Sequence, residues 1–146
     1  MIFMEEIDIK ERIENGWIYS RVWFDVLAIT KEAAEESLKN HIEKLKKLDG
    51  CLVVKEKYEE TIEQEKPLKN VEKAYSKAAE IEILTKDLET LLQVVIFFAP
   101  SAIEVIEPIE YKIKANTIQV VMNTVADLIH RFAAQGIGGV VIAKGP

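Results

Sequence analysis

Residues 85–113 read TKDLETLLQVVIFFAPSAIEVIEPIEYKI, and this stretch decides the fold. Its first half is rich in apolar residues, Asp87 is a typical N-cap residue, and Pro100 stops a helix that runs to about Phe98. Its second half predicts a strand that begins with Ile103. A helix and a strand therefore follow one another almost without a spacer.

The predicted strand changes phase at Pro108, which indicates a bulge or an edge position. Ile103 and Val105 form its first apolar set, and beyond the proline the apolar set is Ile109, Tyr111 and Ile113.

The elements before this stretch are a strand over residues 17–29, a helix, a strand over residues 51–62, a loop over residues 63–70 and a strand over residues 74–85. Thr30 is the expected N-cap of the helix and Gly50 its end, while Glu56 interrupts the apolar side of the second strand. The helix carries an apolar stripe of Ala34, Leu38, Ile42, Leu45 and Leu48. In the strand over residues 74–85 the inward residues are Ala79, Ile81 and Ile83, with Glu80 and Glu82 outward.

A further helix is predicted after residue 113. Asn116 and Gln119 have capping-box spacing and Gly136 ends the helix, whose apolar face is Ile118, Val121, Met122, Val125, Leu128, Ile129 and Phe132.

The order of these elements predicts an α+β fold, a ferredoxin-like βαββαβ sandwich with an additional C-terminal helix. The tail either adds a short terminal strand around residues 140–143 or stays a loose terminus. Residues 1–146 form a single domain in this interpretation. Its parts are an N-terminal segment (1–16), the ferredoxin-like unit (17–113) and a C-terminal helix with its tail (114–146). Residues 5–15 fit a helix and a strand equally well.

Composition excludes several classes of protein. The 146 residues carry a net charge of -6 without a run of basic residues, so we expect no nucleic-acid partner. No apolar run is long enough for a membrane span, and the only cysteine, Cys51, forms no disulfide within the chain. These features predict a cytoplasmic protein without membrane association, and the abundance of Glu and Lys is typical of thermophiles.

The helix over residues 87–98 has more apolar surface than one sheet face can cover. Leu88, Leu91, Leu92, Val95 and Phe98 form its expected sheet-facing stripe, whereas Val94, Ile96 and Phe97 point elsewhere. Either the C-terminal helix packs on these three residues or they form a subunit interface.

Two other groups of residues are candidates for a site. Asp127 and His130 lie three residues apart on the C-terminal helix, where an aspartate that orients a histidine could serve as a general base, although Arg131 makes a solvated ion pair the simpler interpretation. Trp17, Tyr19 and Trp23 share the side of the first strand opposite the core. They line a ligand pocket unless an N-terminal element or another subunit covers them. The glutamates on the strands match no known metal motif, and their pairing across strands with Lys77, Lys112 or Arg21 is the simpler interpretation. No metal or cofactor is expected.

Residues 98–108, FAPSAIEVIEP, follow a leucine-rich helix, and together they resemble the C-terminal region of WYL-domain transcriptional regulators. The resemblance covers about residues 88–113, has Ala99 where that family usually has glycine, and extends to neither a winged helix nor a WYL core. It implies a ferredoxin-like module with a regulatory or assembly role, and it transfers no catalytic residue.

The sequence thus favours a non-catalytic homo-oligomeric module that binds a small molecule or regulates a partner. Two alternatives remain open. One is a small enzyme that uses Asp127 and His130, and the other is an adaptor that binds a partner protein by strand addition at the sheet edge.

Overall fold

The computed structural model of the protein describes residues 6–68 and 70–136. Within these ranges the chain forms four helices and five strands. The helices are α1 (Glu6–Glu14), α2 (Lys31–Lys46), α3 (Leu88–Phe98) and α4 (Ala115–Ala134). The strands are β1 (Ile18–Ala28), β2 (Cys51–Tyr58), β3 (Ile62–Leu68), β4 (Val71–Thr85) and β5 (Ala102–Glu107). The architecture is α+β, as the sequence predicts.

All five strands belong to one antiparallel sheet in the order β2–β4–β1–β5, with β3 pairing with the first part of β4. The register sets Val22 of β1 opposite Ile81 of β4 and Ile103 of β5. Residues directly opposite one another share a face of an antiparallel sheet. We call the face that carries Val22 the inner face and the face that carries Arg21 the outer face.

The core lies between the inner face and helices α2 and α3. Alternate residues of β1 are buried while those between them are less so, which is the pattern of a strand covered mainly on one side. Four of the five residues in the stripe predicted for α2 are buried, whereas Leu48 lies beyond the end of the helix and is only partly buried. Ala79, Ile81 and Ile83 point inward from β4 as predicted. The core cluster is Ile18, Val22, Phe24, Leu38, Ile42, Leu45, Cys51, Ala79, Ile81, Ile83, Leu91 and Val94.

Local capping explains where α2 and α3 begin. The Thr30 hydroxyl accepts a hydrogen bond from the backbone N–H of Ala33 at 3.1 Å, and the Asp87 carboxylate accepts one from the N–H of Thr90 at 2.8 Å. Both caps agree with the sequence prediction. At its other end α3 stops in Ala99, whose φ of 47° lies in the left-handed region that favours glycine.

A bulge in β2 explains the glutamate that interrupts its apolar pattern. The pairing of β2 with β4 shifts between Val53 and Lys55, and this shift sets Glu56 opposite Ile81 on the inner face. The strand stays paired at Glu56. The Glu56 carboxylate lies 2.9 Å from the ammonium of Lys46 and accepts a hydrogen bond from the Tyr58 hydroxyl at 2.8 Å. A charge on the core side is thereby paired and hydrogen-bonded.

Several sequence predictions are corrected. The predicted second strand over residues 51–62 ends at Tyr58, and most of the predicted loop over residues 63–70 belongs to β3 (Ile62–Leu68). β3 forms because β4 extends far enough toward Val71 to supply a partner strand. β5 ends at Glu107, so Ile109 and Tyr111 lie beyond the strand. The predicted capping box of the last helix is absent, because Lys114 occupies the N-cap position and provides no side-chain hydrogen bond. Residues 6–14 are helical, which decides the N-terminal alternative.

Contacts within the chain divide it into two compact units, one that ends at Tyr111 and one that begins at Lys112. The sheet and its helices α1, α2 and α3 belong to the first unit. The second unit contains α4, a helix of 20 residues none of which is buried. A single domain over residues 1–146 stays a prediction, and the predicted strand at residues 140–143 lies outside the described residues.

Candidate functional site

Tyr19 lines a cleft between α1 and the outer face of the sheet. The cleft has a volume of about 360 Å³ and combines apolar walls with charged groups. Leu84, opposite Tyr19 on β4, is fully buried, so this end of the outer face is covered. The lining residues are Glu6, Ile9, Lys10, Ile13, Tyr19 and Glu107.

The Tyr19 hydroxyl donates a hydrogen bond to the carboxylate of Glu82. Burial raises the pKa of Tyr19 above its ordinary value, and the hydrogen bond to Glu82 raises that pKa further. The phenol therefore stays protonated at neutral pH and acts as a donor within the sheet surface. It supplies a fixed polar group to the cleft, not a base.

The other two aromatic residues of the predicted pocket lie elsewhere. Trp17 lies under the guanidinium of Arg12, which is 4.6 Å from the ring centroid, and it lines a separate groove with Asp8 and Glu11 of α1. Trp23 is opposite Glu80 on β4 and lines neither of these two clefts. Tyr19 and Trp23 share the outer face of β1, whereas Trp17 precedes the strand. The clefts at Tyr19 and Trp17 are lined by different residues of α1.

Arg21 organises the carboxylates on the outer face. Its guanidinium lies 3.0 Å from Glu80 and 3.9 Å from Glu82 on β4, and 3.5 Å from Glu104 on β5. The sequence predicts such cross-strand pairing in preference to a metal site. Within residues 6–68 and 70–136 no group of three His, Cys, Asp or Glu side chains could hold a metal ion.

The last turn of α3 exposes apolar side chains, though not all of those predicted. Val94 is fully buried in the core, whereas Val95, predicted to face the sheet, is 38% exposed. Leu91, Val94 and Phe98 form the face that packs on the sheet, and a helix that is apolar at almost every position gives no periodic signal from which this face can be read. Ile96 is half-buried, and Phe97 is 72% exposed.

β5 exposes apolar residues on the inner face, a feature that its sequence does not predict. Ile103 and Val105 are 40% and 51% exposed, whereas their cross-strand neighbours Val22 and Ser20 on β1 are fully buried. The only signal in the sequence was the apolar alternation itself, which predicts burial.

On α4 the carboxylate of Asp127 lies 2.9 Å from the guanidinium of Arg131, one helical turn away. Both side chains are exposed, and so is His130. This is the solvated ion pair that the four-residue spacing of Asp127 and Arg131 predicts. The ion pair engages the carboxylate that the general-base hypothesis requires to orient His130.

Three buried groups of the first unit have no role in a surface site. The hydroxyls of Ser20 and Thr85 have no hydrogen-bond partner among the described residues. Burial raises the pKa of the Cys51 thiol to about 12, which keeps it protonated and unreactive.

Among the described helices, none combines the length and the apolar character that crossing a membrane requires.

Comparison with known proteins gives one finding. The model of the MJ0538 family matches residues 20–144, which is most of the chain. No curated protein and no solved structure matches significantly. The family match contains nothing that links the chain to WYL-domain regulators.

Proposed function

The chain belongs to the MJ0538 family, and we propose that it works as a non-catalytic homo-oligomeric module that binds or regulates. The observation that carries this proposal is the exposure of large apolar side chains on the first unit, above all Phe97 with 72% of its surface exposed. An isolated exposed apolar residue is ordinary, but here Val95 lies on the same helix and Ile103 on the strand that follows it. Association of copies would remove these surfaces from water.

The arrangement of the first unit supports a ferredoxin-like βαββαβ sandwich. Its strand order is β2–β4–β1–β5, and both α2 and α3 contribute to the core on the inner face. β3 is then an addition to that plan, placed beside the first part of β4. The resemblance of residues 88–113 to the C-terminal module of WYL-domain regulators favours the same fold and a role in regulation or assembly.

A small molecule is the second part of the proposal. The cleft at Tyr19 offers apolar walls from Ile9 and Ile13 and charged groups from Lys10 and Glu107. That combination suits a ligand with an apolar body and polar ends. Cys51, the only cysteine of the sequence, is buried and forms no disulfide, which favours the cytoplasm as the compartment in which the module works.

The test is the mass of the particle in solution. Size-exclusion chromatography with light scattering should give a dimer or a larger assembly of the 16.6 kDa chain. Phe97→Asp should shift the population toward monomer, because a charge would have to be desolvated in the interface. The matched control is Gln93→Asp, which places the same charge on an exposed polar position of α3.

A wild-type protein that is monomeric over the whole accessible concentration range would overturn the proposal. An assembly that persists equally in both variants would show that Phe97 is not part of the interface and that other surfaces hold the copies together.

A further inference from the structure

β5 forms one edge of the sheet. It pairs with β1 on one side, and within residues 6–68 and 70–136 no strand pairs with its other side. An edge strand leaves backbone N–H and C=O groups available along its free side, and proteins commonly protect such edges with proline or lysine. β5, with the sequence AIEVIE, contains neither. In the part of the chain that the structure describes, this edge is therefore open to strand pairing.

The inner face of β5 adds an apolar surface to the open backbone. Ile103 and Val105 continue the row of core residues that begins on β4 and crosses β1, yet about half of each side chain is exposed. The exposed part is where another strand would continue the row. A partner strand must therefore offer apolar residues at two alternate positions on this face.

We infer that β5 pairs with β5 of a second copy, antiparallel and about a two-fold axis, in the register that sets Glu104 opposite Glu104. This inference rests on the proposed homo-oligomer and specifies its contact. A two-fold axis through a strand pair brings each residue opposite a residue at an equal distance from the centre. With Glu104 at the centre, Ile103 of each copy is opposite Val105 of the other.

The neighbouring registers are less favourable. A centre at Ile103 sets Ala102 opposite Glu104 and Val105 opposite Ser101, so one apolar residue loses its match. A centre at Val105 sets Ile103 opposite Glu107. The pairing of β5 with β1 shifts between Val105 and Glu107, and this bulge places Glu107 opposite Tyr19 on the outer face. Only the centre at Glu104 gives both inner-face apolar residues of β5, Ile103 and Val105, an apolar partner in the other copy.

Charge on the outer face fits this register because of Arg21. Two opposed glutamates repel each other, but each Glu104 has the guanidinium of its own Arg21 at 3.5 Å. Arg21 is shared with Glu82, which stands opposite it on β4, but Glu82 is in turn opposite Lys55 on β2. The row in each copy therefore carries two positive and two negative charges and is neutral in sum, in the order Lys55, Glu82, Arg21 and Glu104. Arg21 acts here as a positioning residue, since it allows Glu104 to occupy the centre.

Cross-linking tests the register. In a Cys51→Ala background, Glu104→Cys should form a disulfide-linked dimer under mild oxidation, because opposed residues of paired strands have the Cα separation that a disulfide requires, about 4.5–5.5 Å. Ala102→Cys is the matched control on the same strand and face. In the inferred register its two copies are offset by four residues, about 13 Å, and should not cross-link.

Association tests the surface independently. Ile103→Lys should convert the assembly to lighter particles in sedimentation and light scattering, because a charge on an edge strand opposes pairing. Ile62→Lys on β3 is the matched control, since Ile62 is also an exposed apolar strand residue but lies across the sheet from β5.

The outcomes separate the two proposals. An assembly that survives Ile103→Lys, with no cross-link from Glu104→Cys, overturns the pairing of β5 and leaves homo-oligomerisation standing. A cross-link from Ala102→Cys in place of Glu104→Cys overturns the register. A monomeric wild type overturns homo-oligomerisation and the pairing together.

Discussion

The ammonium of Lys46, in the last turn of α2, lies 2.9 Å from the carboxylate of Glu56 on β2. The Glu56 side chain is only 7% exposed, so its charge depends on this partner and on the Tyr58 hydroxyl. The pair joins α2 to β2, the strand that begins directly after Gly50. It fixes the inner-face position that the bulge in β2 gives to Glu56.

Lys46→Met should destabilise the protein by about 2 kcal/mol, because the variant leaves a largely buried carboxylate without its counter-charge. This loss of stability is smaller than the loss expected for a fully buried ion pair, because the Lys46 side chain is 36% exposed and partly screened by water. Urea unfolding measures the effect. Lys73→Met, which removes an exposed pair with Glu63, should change little, and equal losses in the two variants would contradict the special role of Glu56.

Ala99→Gly should stabilise the protein by about 1 kcal/mol. Alanine has a steric cost at the left-handed φ of 47° that ends α3, and glycine does not. Part of this gain is offset because glycine increases the conformational entropy of the unfolded chain. Gly16→Ala is the reverse test at a φ of 93° with open space around it, and it should destabilise. Thermal unfolding of both variants decides the matter; a lower melting temperature for Ala99→Gly would show that this conformation carries no strain.

Thr85→Val should raise the free energy of unfolding by about 1 kcal/mol, because the buried hydroxyl gains nothing from folding and valine keeps its shape. Thr90→Val is the control. The Thr90 hydroxyl is also buried, but it donates to Asp87 at 2.6 Å, so its removal should destabilise. Stabilities that fall equally in both variants would mean that Thr85 has a hydrogen-bond partner after all.

Stability should decrease in alkaline solution. A group whose pKa is higher in the folded than in the unfolded state contributes stability that is fully present below the unfolded pKa and is lost as pH rises through the folded pKa. For the Cys51 thiol this loss falls between pH 9.0 and about pH 12. The raised pKa of Lys46, caused first by its hydrogen bond to Glu56, acts in the same direction. Denaturant titrations at stepwise higher pH should therefore show a steeper decline for the wild type than for Cys51→Ala. Parallel declines would exclude the thiol as a contributor.

Local signals explain which parts of the fold the sequence reveals. Thr30 and the apolar stripe of α2 lie within one segment, so capping and periodicity suffice to place that helix. β3 carries no such signal, because Glu63, Gln64 and Glu65 follow one another and the strand exists through its pairing with β4. Its existence is a tertiary property.

The candidate surfaces divide in the same way. Phe97 and Tyr19 are identifiable from the sequence as apolar or aromatic residues in excess of what the core requires. The orientation of Val94 is not, because neighbours on every side of α3 are equally apolar. The exposure of Val105 depends on the sheet ending at β5, and that ending follows from strand order, which no local pattern of β5 encodes.

β4 has a consequence for the order of events during synthesis. It is the pairing partner of β1, β2 and β3, and β1 and β2 do not pair with each other. A growing chain that has emerged from the ribosome as far as Tyr58 therefore contains two helices and two strands, but it still lacks β4, the strand that pairs with both β1 and β2. We expect the first unit to stay unfolded on the ribosome until residues 71–85 emerge, and then to assemble most of its sheet in a single late step.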